Sequence, residues 1–95
     1  MAAAQMLTVF CYDIARDRVR RRVAKLLEEV AVRVQESVFE ARMTRARASD
    51  LAERIALLID PEDQLRVYAV PADAIRLCQV RGAGAPIEEQ DFYLL

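Results

Sequence analysis

The sequence predicts an α+β fold with one layer of helices on one sheet. A chain of 95 residues is long enough for a single two-layer core and too short for a second. The apolar pattern changes between strand and helix periods in the order strand, helix, strand, strand, helix, strand. Two helices can cover only one face of a four-stranded antiparallel sheet, which is the ferredoxin-like βαββαβ arrangement. Because 55% of the residues are hydrophobic, we expect the open face to meet a second copy, giving a homodimer.

The first strand and the first helix are predicted from a change of apolar period. Leu7 to Tyr12 is apolar, with β-branched and aromatic residues, which is typical of a central strand buried on both faces. After Ile14 the apolar residues fall on one helical stripe, and Asp17 suits the positive end of that helix. The stripe consists of Val19, Val23, Leu26, Leu27 and Val30.

Two short paired strands are predicted next. Val32 and Val34 alternate with polar residues, and a second apolar set lies between residues 38 and 41. The polar residues 35–37 between the two sets indicate a tight turn or a bulge.

A second helix and a fourth strand complete the predicted domain. Thr44 is a good N-cap, and Asp60-Pro61 should stop the helix. Its stripe consists of Leu51, Ile55, Leu58 and Ile59. A strand from Leu65 to Val70 follows and ends at Pro71.

The two ends of the chain lie outside this pattern. We interpret residues 1–5 as an N-terminal extension, residues 6–81 as the domain, and residues 82–95 as a linker and a C-terminal strand that packs on the partner subunit. Residues 74–80 are apolar enough for another short strand. A free apolar end would be costly in water, which favours docking of the tail.

Composition excludes several classes of chemistry and of location. The sequence has no histidine, which excludes Ser-His-Asp, Cys-His and histidine-metal sites. Cys11 and Cys78 lack a CxxC spacing, so a disulfide is not expected, and Cys11 is best interpreted as a small core residue. The sequence has no apolar run of about 18 residues, so no membrane span is expected. The N-terminus lacks the pattern of a secretory signal, so a cytoplasmic location is expected.

Asp13 is the candidate for chemistry, as the residue at which the central strand passes into the first helix. Such strand ends commonly carry ligand groups, although a turn carboxylate is the simpler interpretation. One carboxylate is a poor Mg²⁺ site. Two copies brought together by a twofold axis would be adequate, with waters and a substrate phosphate completing the shell.

Arginines dominate the basic residues and follow Asp13 directly. Thirteen of the fourteen basic residues are arginine, and five of them lie within residues 16–22. The simplest interpretation is that these arginines form the solvent-exposed face of a helix. The functional hypothesis is that Arg20 and Arg22, with Arg33, hold a nucleic-acid backbone. Phe39 is more often a core residue, but at a strand end it could stack on a base.

Four segments in order resemble the CRISPR-associated protein 2 family over residues 6–95. They are YDI at 12–14, RRRVAKLLEE at 20–29, RVQESVFEA at 33–41 and RVYAVP at 66–71. Glu36 departs from the aromatic or basic residue expected in the third segment.

The resemblance implies ferredoxin-like homodimers whose C-terminal strand packs on the partner and which act in CRISPR adaptation. A dimer would bridge two dimers of the Cas-one integrase and help to hold new spacer DNA. The resemblance also implies a Mg²⁺-dependent endonuclease, with Mn²⁺ as the alternative metal, acting on single-stranded RNA or double-stranded DNA. Asp13 would then be the metal ligand and catalytic residue, and Arg20, Arg22, Arg33 and Phe39 would bind nucleic acid.

Three other functions remain open. The main alternative is a non-catalytic scaffold of the same complex, in which the arginines bind DNA and Asp13 is structural. A toxin-like ribonuclease of the same fold and a small-molecule-binding domain are the remaining hypotheses.

Overall fold

A four-stranded antiparallel sheet with two helices on one face forms the protein. A computed structural model describes residues 3–84. The strands are ordered β2-β3-β1-β4 across the sheet, so the predicted ferredoxin-like βαββαβ arrangement is confirmed. The elements are β1 (Gln5–Asp13), α1 (Asp17–Glu28), β2 (Val32–Gln35), β3 (Val38–Thr44), α2 (Arg45–Ala56), β4 (Gln64–Val70) and a 3₁₀ helix (Ala72–Leu77).

Strand β1 lies at the centre of the sheet and pairs with β3 on one side and β4 on the other. Its apolar residues alternate between the two faces of the sheet. Phe10 and Tyr12 pack in the layer beneath the helices, whereas Leu7 packs on the opposite face. The sequence predicted burial of β1 on both faces, and the structure shows this in part: the side under the helices is buried, whereas on the opposite side Leu7 is buried and Val9 and Cys11 are half-buried.

The main core lies between the sheet and the two helices. Helix α1 contributes Val23 and Leu27, and α2 contributes Leu51 and Ile55, each of which is at most 2% exposed. These residues lie on the apolar stripes predicted for the two helices. The sheet supplies the rest of this layer, chiefly Phe10, Tyr12, Phe39, Ala41 and Met43.

Of the turn or bulge predicted for residues 35–37, the β2–β3 hairpin forms the turn, and an irregularity in the pairing lies just before it. Residues 36–37 form the turn, and the pairing register shifts between Arg33 and Gln35. The hairpin is tied to the central strand, because the Tyr12 amide donates a hydrogen bond to the Ser37 carbonyl over 3.2 Å. The hairpin therefore lies beside the end of β1 that carries Asp13.

Two sequence predictions about secondary structure were wrong, one about the type of an element and one about the end of a helix. The stretch 74–80 is not a strand, because the segment after Pro71 forms the 3₁₀ helix Ala72–Leu77. This helix buries Ile75 against Leu7, and Cys78, three residues later, joins the same small cluster. An apolar spacing of three suits a tight helical turn better than a strand. Helix α2 also ends at Ala56, before the predicted stop at Asp60-Pro61.

The 3₁₀ helix covers the Leu7 end of the face opposite the helices and leaves the Asp13 end of β1 open. The predicted C-terminal strand falls mainly on residues 85–95, outside the described part of the chain.

Within residues 3–84, no helix is long and apolar enough to cross a membrane. Cys11 and Cys78 are both free and half-buried.

Candidate metal and nucleic-acid site at the end of the first strand

Asp13 is the last residue of β1 and pairs with Gln64 of β4. Its side chain is exposed, and it makes no hydrogen bond or ion pair with any other residue in the described range 3–84. Because side chains alternate along a strand and Tyr12 faces the helices, Asp13 faces the open side of the sheet. The carboxylate is thus available to a ligand or to a partner.

The segment after Asp13 is fixed by the loop between α2 and β4. The Ala15 amide donates a hydrogen bond to Oδ1 of Asp63 over 3.2 Å. The other oxygen of this carboxylate accepts from the Asp60 amide at 2.9 Å. Asp60 in turn forms an ion pair with Arg16 at 3.4 Å. Asp63 therefore connects two loops and holds the backbone on which Asp13 and the start of α1 depend.

Sequence reasoning missed the role of Asp63. The available signal was the acidic cluster at residues 60–63, of which the prediction used only the helix-stopping Asp-Pro pair. An Asp that bonds a backbone amide three residues earlier is a typical turn device, which the spacing of Asp60 and Asp63 allows. The bond to Ala15 spans 48 positions and could not be read from local sequence.

Replacing Asp63 by Ala should lower the free energy of unfolding by about 1 to 2 kcal/mol, because two backbone amides lose a charged acceptor. Asp63→Asn retains one acceptor oxygen and should lose about half as much. Urea denaturation of the two variants measures the difference. A loss in Asp63→Ala no larger than that of an exposed control, Glu53→Ala, would show that the two bonds do not hold this loop.

Arg20 lies beside the Asp13 end of β1, where its guanidinium group is already bonded to other residues of the same subunit. Its Nη1 donates to the carbonyl of Ile14 at 3.0 Å and to that of Ala15 at 3.4 Å. Its Nη2 pairs with Asp17, which also pairs with Arg21. The guanidinium thus braces the turn into α1, and a phosphate contact would have to share it.

Arg22 and Arg33 are the freer of the predicted arginines. Both are exposed, and neither forms an ion pair or a side-chain hydrogen bond within residues 3–84. Arg22 lies on the exposed side of α1. Arg33 extends from β2 over the ring of Phe39, with its Cζ 5.0 Å from the ring centroid. The structure therefore holds Arg33 in place by an aromatic face and leaves its N–H groups available.

Base stacking by Phe39 is the one site prediction that the structure contradicts. Phe39 is fully buried. Its ring stacks with Tyr12 at a centroid distance of 6.3 Å, and Arg33 covers it from the outside. A base cannot reach a ring whose faces are occupied by the protein's own side chains. Phe39 is a core residue that supports Arg33.

Asp13 lacks companion ligands in one subunit. Among residues 3–84, no three Cys, Asp or Glu side chains lie close enough together to hold a metal ion. In proteins, Mg²⁺ is usually bound by only one or two carboxylates, because it keeps several waters and also takes phosphate oxygens of the substrate. A carboxylate without hydrogen-bonding partners, such as Asp13, can serve as one of these ligands. Asp13 therefore fits half of a shared site and does not form a site alone.

The open face around Asp13 combines apolar and charged side chains. Arg66 donates from Nε to Gln64 at 2.9 Å and from Nη1 to the hydroxyl of Tyr68 at 3.1 Å. The hydrogen bond to Tyr68 raises the pKa of Arg66 above its usual value, so the guanidinium stays charged. Residues of this face include Val9, Cys11, Val38, Glu40, Arg66 and Tyr68.

The fold and the site together define a ferredoxin-like protein with an exposed aspartate at the end of its central strand, beside arginines of α1 and β2. A family model described as CRISPR associated protein Cas2 matches residues 6–76. The chain belongs to the Cas2 family.

Relatives of known name support the same assignment. The "CRISPR-associated endoribonuclease Cas2 3" of Chloroflexus aurantiacus is 35% identical over 96% of this chain and 99% of its own length. The "CRISPR-associated endoribonuclease Cas2" of Thermus thermophilus is 38% identical over 93% of this chain and 97% of its own length. A chain of the solved "Partial Cas6-RT-Cas1--Cas2 complex" is 30% identical, with a TM-score of 0.71 over 90% of this chain and 99% of that chain.

Proposed function

We propose that the protein is a CRISPR adaptation protein with metal-dependent endonuclease activity on phosphodiester bonds in single-stranded RNA, double-stranded DNA or both. The observation that carries the proposal is Asp13, an exposed carboxylate at the end of the central strand of a Cas2 fold that has no side-chain partner among residues 3–84. The relatives from Chloroflexus aurantiacus and Thermus thermophilus are named endoribonucleases. An endoribonuclease cleaves phosphodiester bonds in RNA, which agrees with the proposed reaction.

A dimer would supply the second metal-binding carboxylate that one subunit lacks. Asp13 faces the open side of the sheet, which also carries apolar side chains such as Val9 and Val38. A second copy packed on this face would cover those apolar groups and bring a second Asp13 toward the first. The homodimer is therefore part of the proposal, because the metal site needs both carboxylates.

Each proposed residue has a distinct task at this site. Asp13 holds Mg²⁺, or Mn²⁺ in its place, and the bound ion would supply Lewis-acid stabilisation of the phosphate charge and a more acidic water ligand. Arg22 and Arg33 hold backbone phosphates through N–H groups that no other residue of the described range occupies. Arg20 keeps the turn after Asp13 in position through its bonds to Ile14 and Ala15.

The same protein is proposed to bridge dimers of the Cas1 integrase and to hold spacer DNA. The support is the likeness to a chain of a complex that contains Cas1 and Cas2. A non-catalytic scaffold is the second candidate function. The absence of a complete metal-binding cluster within residues 3–84 favours it, because a bridge needs only the fold, the arginines and the dimer.

Wild-type protein should cleave single-stranded RNA or double-stranded DNA in Mg²⁺ or Mn²⁺, and EDTA should abolish the cleavage. The reason is that Asp13 fits a hard cation that binds oxygen ligands. End-labelled substrates resolved on denaturing gels measure the rate, and restoring excess Mg²⁺ after EDTA is the control. Absence of cleavage with both metals on both substrates, or cleavage that persists in EDTA, would leave the scaffold as the better description.

A further inference from the structure

The turn at residues 13–16 leads from β1 into α1 and carries Asp13 at its first position. The next residue, Ile14, is only 4% exposed, and its carbonyl accepts a hydrogen bond from Arg20 at 3.0 Å. The carbonyl of Ala15 accepts a second bond from the same guanidinium at 3.4 Å. In the described part of the chain, the carboxylate of Asp13 is the one polar side chain of this turn that makes no bond. The turn therefore restrains its own backbone and leaves one ligand group free.

Asp63 restrains this turn from the neighbouring loop. It directly precedes Gln64, the residue of β4 that pairs with Asp13. Its Oδ1 accepts from the amide of Ala15, two residues after Asp13, at 3.2 Å. The backbone of Asp13 is thus held on one side by the pairing of β1 with β4 and on the other side by Asp63. Oδ2 of Asp63 accepts from the Asp60 amide at 2.9 Å, which fixes the carboxylate itself.

The bonds of Asp63 suit a residue that acts through Asp13 and not a second metal ligand. Each of its two oxygens already accepts a backbone N–H, and the residue is half-buried. A carboxylate that turned toward a metal ion would leave both amides without their acceptor, which costs stability. Asp13, by contrast, has both oxygens free of such bonds within residues 3–84. The two aspartates therefore have different tasks at the same end of the sheet.

We infer that Asp63 is a positioning residue for the metal site, which raises the affinity of Asp13 for Mg²⁺ or Mn²⁺ by fixing the turn that carries it. Removing a group that holds a metal ligand in place typically lowers metal affinity by roughly 10- to 100-fold. The proposed site needs two copies of Asp13, so the turns of both subunits must be in position at the same time. The inference rests on the proposed function, because it requires that Asp13 binds a metal ion.

The test measures Mn²⁺ binding by electron paramagnetic resonance, without nucleic acid and at a temperature at which circular dichroism shows every variant to be folded. Asp63→Ala should bind Mn²⁺ about tenfold more weakly than the wild type. Asp63→Asn retains one acceptor oxygen and should lie between the two. Asp60→Ala is the matched control, because it removes the ion pair with Arg16 from the same loop and keeps both backbone amides that bond Asp63. It should retain the wild-type affinity.

A double variant, Asp13→Asn/Asp63→Ala, separates positioning from a general loss of stability. If Asp63 acts through Asp13, its replacement in the Asp13→Asn protein should leave the residual Mn²⁺ affinity unchanged. The fall in melting temperature should nevertheless be the same in both backgrounds. Hydrogen exchange in the metal-free protein gives a direct readout of the bond, because the Ala15 amide should lose protection in Asp63→Ala and keep it in Asp60→Ala.

The outcomes distinguish this inference from the proposed function. If Asp13→Asn loses affinity for Mn²⁺ while Asp63→Ala retains that of the wild type, only the role of Asp63 is overturned. If Asp63→Ala lowers the affinity by the same factor with and without the Asp13 carboxylate, Asp63 acts independently of Asp13 and the inference is also overturned. If the wild-type protein binds no Mn²⁺, or Asp13→Asn binds it as tightly as the wild type, the proposed metal site and the role of Asp63 are both overturned.

Discussion

Asp13→Asn should lower the rate of metal-dependent cleavage by on the order of 100-fold or more and leave the fold unchanged. The substitution keeps the size of the side chain and removes the negative charge that a hard cation requires. Because Asp13 is exposed and pairs with no other side chain of residues 3–84, its replacement breaks no contact that stabilises the subunit. The cleavage assay in Mg²⁺ measures the effect, and the melting temperature should stay within about 2 °C of wild type.

Asp50→Asn is the matched control for this variant. Asp50 is an exposed aspartate on α2, so the same chemical change is made away from the proposed site. It should leave the cleavage rate unchanged. If Asp13→Asn cleaves as fast as Asp50→Asn, Asp13 is not a catalytic residue and the cleavage depends on other groups.

Mixing subunits tests whether the site needs two copies of Asp13. After subunit exchange with a large excess of Asp13→Asn, nearly every wild-type subunit has a variant partner. A shared site then loses activity per wild-type subunit in proportion to the loss of wild-type pairs. A site complete within one subunit keeps that activity constant, which would contradict the shared-metal proposal and leave the dimer with a structural role only.

The fold was predictable because local periodicity and burial agree along most of the chain. The run of β1 places apolar residues on both faces of the sheet, and the stripes of α1 and α2 each place them on one face of a helix. The segment 74–80 was predicted wrongly because a short apolar run fits a strand and a tight helix equally well. Pro71 and the packing of Ile75 on Leu7 decided between them, and the second of these is a long-range contact.

The candidate site was predictable only where a local sequence pattern marks it. Asp13 could be placed at a strand end from the sequence, since the apolar run stops there. The bond between Ala15 and Asp63 could not, because it joins loops far apart in the chain. The sequence left Phe39 open between a core residue and a base-stacking residue, because its burial depends on Tyr12 of β1 and on Arg33 of the neighbouring strand.

Phe39→Ala should lower the free energy of unfolding by about 3 to 5 kcal/mol, the usual cost of removing a fully buried aromatic ring. A base-stacking residue would behave differently, because its loss would weaken nucleic-acid binding and spare stability. Urea denaturation measures the cost, and Tyr68→Ala serves as the control, since Tyr68 is half exposed on β4. A loss below about 1 kcal/mol in Phe39→Ala would contradict the buried position of the ring.

A double-mutant cycle between Arg33→Ala and Phe39→Leu isolates the contact between the two residues. Leu retains most of the buried apolar volume and removes the aromatic face on which the guanidinium lies. The coupling free energy should be about 0.5 to 1 kcal/mol, as expected for an exposed cation over a ring. The same pair should be coupled in nucleic-acid affinity, because an Arg33 without its support spends less time in position for a phosphate. Coupling in stability without coupling in affinity would leave Phe39 with a purely structural role and show that Arg33 does not need the ring to bind a phosphate.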